Sequence, residues 1–560
     1  MKKLTSKFFL RLEFLPSLCR YFWDLSVWIL IFSPLLTGGV WIKKPGFHIE
    51  LTELAVPVLI VSLLTVIFHS GFGISLENTS SVRLAKKTWE FWTSLVLTHH
   101  IKTVWLGSFA VGTLWALASL RRHAAYGSGA ADLGIFTNTI WNWVHGNGYF
   151  SSLKNGINLF SDHQSPIFFI FSPLFYFFPF PETLLILQAY GLAFGAIALL
   201  KLGHQYLGKN NTLNAVLPLL YWSYLPLRNA NAFDFHPECL MLPLFLSALA
   251  GVQSEKKSER VLGWIAFSLA LGAKESAGPV AAGIGLGLCL RAGPERTRDY
   301  TQKRGIVFIL LGVLTFLFDT KVVPHFFQSS YVYAGLYHEF GSHLFHVTRL
   351  KFLFWTLAPL AFLPLLNWRC FTAAVPGYLM LFLSEGDHRL NPIYHYAIEP
   401  SVGLFWALPF ALEKIKYYKF NYKIWIIFWA LALFGRSEMY RIRYNHPTEH
   451  HEWLSQVLIP CLTDDLSFSV SGALVPHLSG RYWIHHLPKL NRPENQWVDC
   501  VVFDPAVNNW PMGTHEYETL PIWLKQFHYE PVYSCGSVRV FINSDNKKSC
   551  FQCEPSCKKQ

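Results

Sequence analysis

Charge is what this chain has least of. Asp, Glu, Lys and Arg make up 15% of its 560 residues, against about 25% in ordinary soluble domains. Hydrophobic residues reach 52% and aromatics 16%, and mean hydropathy is +0.28. A chain this poor in charge cannot coat itself for water, which excludes a soluble enzyme, a disordered chain and a fibrous repeat. Other things are missing too. No Walker loop, zincin motif or GxSxG elbow occurs, and no internal repeat is visible. Acids number 35 against 47 bases, leaving a formal charge of +12. In a membrane protein that excess collects in cytoplasmic loops, so it does not point to nucleic acid. Met1-Lys2-Lys3 is not followed by the compact apolar core and small-residue cleavage site of a signal peptide. The first span is expected to act as an uncleaved targeting signal.

What is present is a series of apolar runs. A spanning helix needs about 20 mostly apolar residues. Residues 23–42, 53–73, 103–120, 183–206, 213–229, 237–253, 305–323, 351–366, 395–413 and 424–437 qualify, with 260–273, 276–291 and 371–384 shorter or interrupted. Residues 166–181, PIFFIFSPLFYFFPFP, carry Pro at both ends and Pro173 inside. Basic residues decide their status. If 166–181 does not cross, the clusters Lys2–Arg20, Arg83–Lys87, Lys256–Arg260, Arg291–Arg304 and Lys414–Lys423 share one side with Lys209. That side is then cytoplasmic, and 166–181 is a juxtamembrane helix on the other. The fold class expected is mainly α: a polytopic membrane bundle of about 13 spans, N-terminus cytoplasmic and C-terminus extracytoplasmic.

This topology gathers the polar stretches on the outer face. They are the 121–165 loop, NAFDFHPE at 231–238, AKES at 273–276, the 324–350 loop and SEGDHRLNPIYHY at 384–396. Beyond about residue 440 the apolar runs shorten. WVDCVVFD and SVRVFI read as strands and WLSQVLIPCL as a helix, so 440–560 is expected to be a small α/β domain. Six of the ten cysteines lie there: Cys461, Cys500, Cys535, Cys550, Cys553 and Cys557. An even number in an oxidising compartment favours disulfides. The run Cys550-x2-Cys553-x3-Cys557 leaves metal binding as the alternative.

Several side chains have the chemistry of a site. Asp132 follows the third span and precedes LGIFTNTIWNWV. It suits a general base that takes a proton from an attacking hydroxyl, and equally a helix N-cap. Asp162-His163 and Asp234-x-His236-x-Glu238 combine carboxylate and imidazole. Such groups suit a divalent ion, Mg or Mn, that neutralises a departing phosphate. A polar network without metal, or capping at the interface, uses the same residues. Lys274-Glu275 lies between two short apolar runs, where ionisable groups are paired or functional. Lys274 reads either as a phosphate contact or as the partner of a carboxylate. Arg228 is a second phosphate clamp or an interface snorkeller. His395-Tyr396 lines the site or packs a helix start.

The stretches YGSGAADLGIFTNTIWNWVHGNGYFSSLKNGINLFSDHQSPIFFIFSPLFYFFPFPETLLILQAYGLAFGAIAL, NAFDFHPECLMLPLFL, LGAKES, YHYAIEPSVGLFWA and ALVPHLSGRYW carry a resemblance. Together they resemble a family of prokaryotic multi-pass membrane proteins defined as domain of unknown function 2079. That family looks like a branch of the GT-C glycosyltransferases, whose better-known members are protein mannosyltransferases and aminoarabinose transferases. The resemblance covers about Lys102 to Ile542, leaving 1–101, with two extra spans, outside it. It implies a transmembrane domain over 102–439 with 121–182 as the long first outer loop. It also implies Asp132 as catalytic acid–base and a polyprenyl-phosphate-linked sugar as donor. The acceptor, glycan, lipid or protein, is not readable. Members often carry a second acid after Lys-Glu, where this chain has Ser276. The protein is expected in the plasma (inner) membrane, and the rival from another class is a transporter or lipid-handling membrane protein without catalytic activity. Transporters show inverted repeats and midplane sites, whereas the acids here cluster at one face. Asp132, Asp162, His163, Asp234, His236 and Glu238 are expected to line one cavity roofed by the tail domain.

Overall fold

The computed structural model describes residues 16–44, 47–53, 55–292, 298–327, 331–337, 344, 346–415, 438–493, 496–545 and 548–557. Long apolar runs make the chain mainly helical. Among the described residues, Pro16–Thr37, Ile101–Ala124, Pro181–Leu207 and Tyr300–Phe326 are long and apolar enough to cross a membrane. Val56–His69, Pro237–Val252 and Ala277–Cys289 are apolar but shorter. The run expected over 424–437 lies outside the described residues.

Proline explains where expected spans break. The run 213–229 divides into Val216–Ser223 and Leu225–Ala232, with Tyr224 extended at φ −61, ψ 112. Pro226 has no N–H for a continuous helix, but it fits the first turn of a new one. The run 351–366 stops as a helix at Leu357, and Pro359 and Pro364 follow in two 3-10 turns. Residues 166–181 form the ten-residue helix Phe168–Phe177, and Pro181 then opens the next long helix. Another helix was not expected. Ser80–His99 runs through the stretch between the second and third expected spans that carries the basic cluster Arg83–Lys87.

Apolar strands alternate in the tail as expected. Strands β1 (Val40–Lys44) and β2 (Phe47–Leu51) form an antiparallel hairpin between the first two helices. The tail holds β3 (Phe468–Val470), β4 (Ile484–His486), β5 (Cys500–Phe503), β6 (Tyr529–Cys535) and β7 (Val538–Asn543). Their order is β4-β3-β5-β7-β6, parallel across β4-β3-β5 and antiparallel beyond. The inner face of this sheet shares one apolar core with the 121–182 loop. Leu133, Phe136, Leu159 and Phe168 pack with Phe468, Val470, Val475 and Val540. Asn138 ties the two together, donating to the carbonyls of Ser479 and Arg481 and accepting from the Ser152 N–H.

All six tail cysteines pair: Cys461–Cys553, Cys500–Cys550 and Cys535–Cys557. They are structural staples rather than a metal site. The Cys500–Cys550 bridge closes 50 residues of chain and anchors the C-terminal segment to β5. Replacing that pair by Ser and Ala should cost about 2–5 kcal/mol of tail stability. Limited proteolysis of the unreduced protein would read it as earlier cleavage within 464–557. An unchanged digestion pattern would mean the bridge adds nothing.

Candidate functional site

The acids and histidines picked from sequence converge. A cavity of about 480 Å³ is lined by Asp132, Asp162, His163, His236, Glu238, Lys274, Glu275, His395 and Tyr396. Lys154, Ser276, Tyr331, Tyr333, Tyr337, Arg389 and Glu399 complete its polar wall. Every lining residue falls between 131 and 399. The tail sheet therefore backs the loop that carries Asp132, and the expected roof over the cavity is not its role.

One half of the site is built around Asp132. The turn Ala130–Gly134 presents it just before the helix Ile135–Val144, and there is no side-chain N-cap at either start. Its Oδ1 lies 3.1 Å from His236 Nε2. His236 is held on two further sides. Its backbone N–H donates to Gln188 Oε1 at 2.8 Å, and its Nδ1 faces the Asp234 carbonyl at 3.2 Å. A carbonyl only accepts, so Nδ1 must carry a hydrogen. Nε2 then meets a carboxylate, and an imidazolium satisfies both contacts. Burial pulls His236 toward neutrality, but Asp132 together with Glu238 and the Asp234 carbonyl outweighs it, and the net shift is upward. Burial likewise favours neutral Asp132, and His236 reverses this to a lowered value. Asp132 is thus kept as a carboxylate, ready to accept a proton.

Asp234 takes a different part from the one expected. In extended chain Asp234, His236 and Glu238 would share a face. His236 is extended, but Pro237 starts a 3-10 turn immediately after it. Asp234 points away from the cavity and braces the Asp132 loop. It accepts from the Gly129 N–H at 2.9 Å and pairs with Arg122 at 2.7 Å.

The next layer is a stacked relay. The His236 and His395 rings lie 3.6 Å apart. His395 Nε2 is 3.0 Å from Glu238 Oε1, and Lys274 Nζ is 2.6 Å from the same oxygen. Burial would lower the Lys274 pKa, but Glu238, Glu275 and Glu399 raise it well above the ordinary lysine value. This cation is already committed to carboxylates. The acid missing at Ser276 is replaced in space, because Ser276 Oγ donates to Glu399 Oε1 at 3.3 Å.

The far half holds Asp162, His163 and Glu275. Asp162 pairs with Lys154 at 2.8 Å and accepts from the Tyr333 hydroxyl at 3.2 Å. Tyr333 also meets His163 Nε2 at 2.8 Å and stacks on its ring. The Tyr331 hydroxyl donates to Glu275 Oε1 at 3.2 Å. Burial favours the neutral form of Asp162, yet His163 and Lys154 hold its pKa below the usual carboxylate value.

Two expectations need correction. Arg228 is absent from the cavity wall. It is buried at 1% exposure and paired with Glu438 at 2.8 Å, neither a clamp in this site nor a snorkeller. The donors proposed for Mg or Mn do not assemble either. Asp234 is taken by Arg122, Asp162 by Lys154 and Glu238 by Lys274. Among the described residues no three His, Cys, Asp or Glu side chains are placed to hold an ion.

Sequence reading missed Tyr331, Tyr333, Arg389 and Glu399. Tyr331 and Tyr333 alternate in YVYAGLY, a weak signal for one polar-faced turn. Arg389 sat in a stretch already noted as polar, without a partner residue to mark it.

This cavity is lined in part by the long loop after the helix Ile101–Ala124, and the helical fold that holds it has neighbours among solved structures. ArnT of Cupriavidus metallidurans in the apo state shares that fold at TM-score 0.50 and 12% identity, over 78% of this chain and 97% of that one. The same protein bound to undecaprenyl phosphate matches at TM-score 0.49 and 12% identity with the same coverage. The Archaeoglobus fulgidus oligosaccharyltransferase matches at 0.40 and 11% identity, over 78% and 74%. No curated protein sequence matches the chain. The family is nonetheless defined: this chain belongs to the family described as Predicted membrane protein (DUF2079), whose model covers residues 122–534.

Proposed function

We propose that this protein is a GT-C-type glycosyltransferase of the plasma membrane, moving a sugar from a polyprenyl-phosphate carrier to an acceptor on the extracytoplasmic face. About 13 crossings, with the N-terminus inside and the tail outside, follow from sorting the basic loops to the cytoplasm. The observation that carries the reading is the cavity itself. It joins a loop carboxylate, Asp132, to a cation without a carboxylate partner among the described residues, Arg389. Its volume falls within the range of small-ligand sites.

The roles follow from the contacts. Asp132 accepts the proton of the attacking hydroxyl as the bond from carrier oxygen to anomeric carbon breaks. His236 holds the Asp132 carboxylate in place. The released carrier phosphate needs a free cation. Lys274 is spent on Glu238, which leaves Arg389 beside Tyr337 and Tyr396. A guanidinium fork suits phosphate oxygens. Glu275 Oε2 and Glu399 Oε2 have no hydrogen-bond donor among the described residues and suit sugar hydroxyls.

ArnT from Cupriavidus metallidurans binds undecaprenyl phosphate, which makes that lipid the first probe. Purified protein should retain undecaprenyl phosphate over the neutral alcohol undecaprenol in native mass spectrometry. Arg389→Ala should weaken retention by about tenfold or more, the loss of one charge-assisted contact of roughly 1.5–3 kcal/mol. A panel of undecaprenyl-phosphoryl sugars should then yield free undecaprenyl phosphate. Equal retention of both lipids would overturn the carrier. Retention without turnover of any sugar would favour the lipid-handling reading.

A further inference from the structure

We propose that the helix Ser80–His99 lies on the membrane surface and binds anionic phospholipid headgroups through Arg83, Lys86 and Lys87. The helix precedes the family-matched region, which begins at residue 122. Nothing in the glycosyltransferase reading uses it.

Its faces are sharply divided. At about 100° per residue, Trp89, Trp92 and Val96 fall on one side. These pack on the helical body, and Trp92 donates to the Ala215 carbonyl at 2.8 Å. The N-terminus is fixed as well. Asp24 accepts from the backbone N–H groups of Ser80 and Ser81 at 3.0 and 2.8 Å. The helix is therefore held in one orientation, and its outward face is defined.

That outward face has two adjoining stripes. Arg83, Lys86 and Lys87 lie within about 100° of arc. All three are exposed, and none has an ion-pair partner among the described residues. Glu90 is the lone acid of the helix. Next to this stripe stand Leu84, 43% exposed, and Phe91, 66% exposed. A basic stripe beside an apolar stripe is the pattern of an interfacial helix, with cations at the headgroups and apolar side chains below them. The neighbourhood continues the charge. Lys209 lies three residues before the Thr212–Ala215 turn that holds Trp92, and it is exposed. Lys256 and Lys257, exposed where the helix Lys257–Leu271 begins, fall on the same side of the membrane when the basic loops are sorted to the cytoplasm. A surface with this sign, beside hydrocarbon-facing residues, fits anionic lipid rather than a protein partner.

Each Lys or Arg near an anionic surface contributes about fivefold in binding, so three give roughly 100-fold. Full-length protein in nanodiscs would test this by hydrogen exchange. Peptides from 80–99 should exchange about tenfold more slowly in discs containing phosphatidylglycerol than in phosphatidylcholine alone. High salt should remove the difference, because exposed charges are screened. The combined variant Arg83→Gln, Lys86→Gln, Lys87→Gln should remove it too. Its melting temperature in phosphatidylcholine discs should match the parent, since the replaced groups are exposed. A matching melt with persistent phosphatidylglycerol protection would overturn the assignment. So would equal protection of the parent in both disc types. Protection by soluble glycerol phosphate in phosphatidylcholine discs would overturn the lipid surface in favour of a free-anion site.

Discussion

Asp132→Asn should lower the transfer rate by about 10²–10⁴, roughly 3–5 kcal/mol of barrier, with little change in protein level. The expectation comes from the pair with His236. The Asn side-chain amide can still bond His236 Nε2, which is 3.1 Å from the Asp132 carboxylate in the parent: its oxygen accepts from the protonated ring and its NH2 donates to the neutral one. Loop position and fold are therefore kept, and only proton-accepting power is lost. A secondary effect has a defined sign. Burial pulls His236 toward neutrality and Asp132 pulls it upward. Without the carboxylate, His236 should lose its proton at lower pH than in the parent. Release of undecaprenyl phosphate from the accepted sugar carrier measures the rate, and thermal melting controls for folding. Parent-level turnover in Asp132→Asn would remove Asp132 from the chemistry. It would also remove the main reason to prefer an enzyme over a lipid-handling protein.

The site was more legible in the sequence than the fold. Charged residues are rare enough here that most of the acids and histidines outside the basic loops stand out. That is why Asp132, Asp162, His236, Glu238, Glu275 and His395 were found, and all of them line the cavity. What sequence could not assign was direction. Asp234 and His236 are two residues apart, yet one braces a loop through Arg122 and the other faces the cavity. Only the Pro237 turn and the distant Gly129 and Gln188 decide this. Arg228 illustrates the same limit. Its partner Glu438 is 210 residues away, beyond any periodicity argument. Glu399 was hidden because it opens an apolar helix, and it stands beside Ser276 only in three dimensions. The broken spans reflect a further limit. Hydropathy sums apolar content over a window, whereas the helix ends depend on single prolines such as Pro226 and Pro359.

Lys274→Ala should act on stability first. Lys274 Nζ is 2.6 Å from Glu238 Oε1, and Glu238 is 1% exposed. Removing one partner of a buried pair leaves an uncompensated charge, which costs about 3–5 kcal/mol. That is a large part of the roughly 5–15 kcal/mol by which proteins are stable. His395, 3.0 Å from the same Glu238 oxygen, is too weak a substitute to restore the balance. The variant should accumulate poorly and melt earlier. The double variant Lys274→Met, Glu238→Gln removes both charges and should recover much of the lost abundance, since replacing a whole buried pair is often nearly neutral. Recovery of protein need not bring back activity, because Glu238 and Lys274 both face the cavity. Membrane-fraction abundance and melting temperature of the parent, single and double variants give the reading. A single variant that is abundant and melts normally, but binds undecaprenyl phosphate far more weakly, would return Lys274 to the phosphate and displace Arg389 from that role.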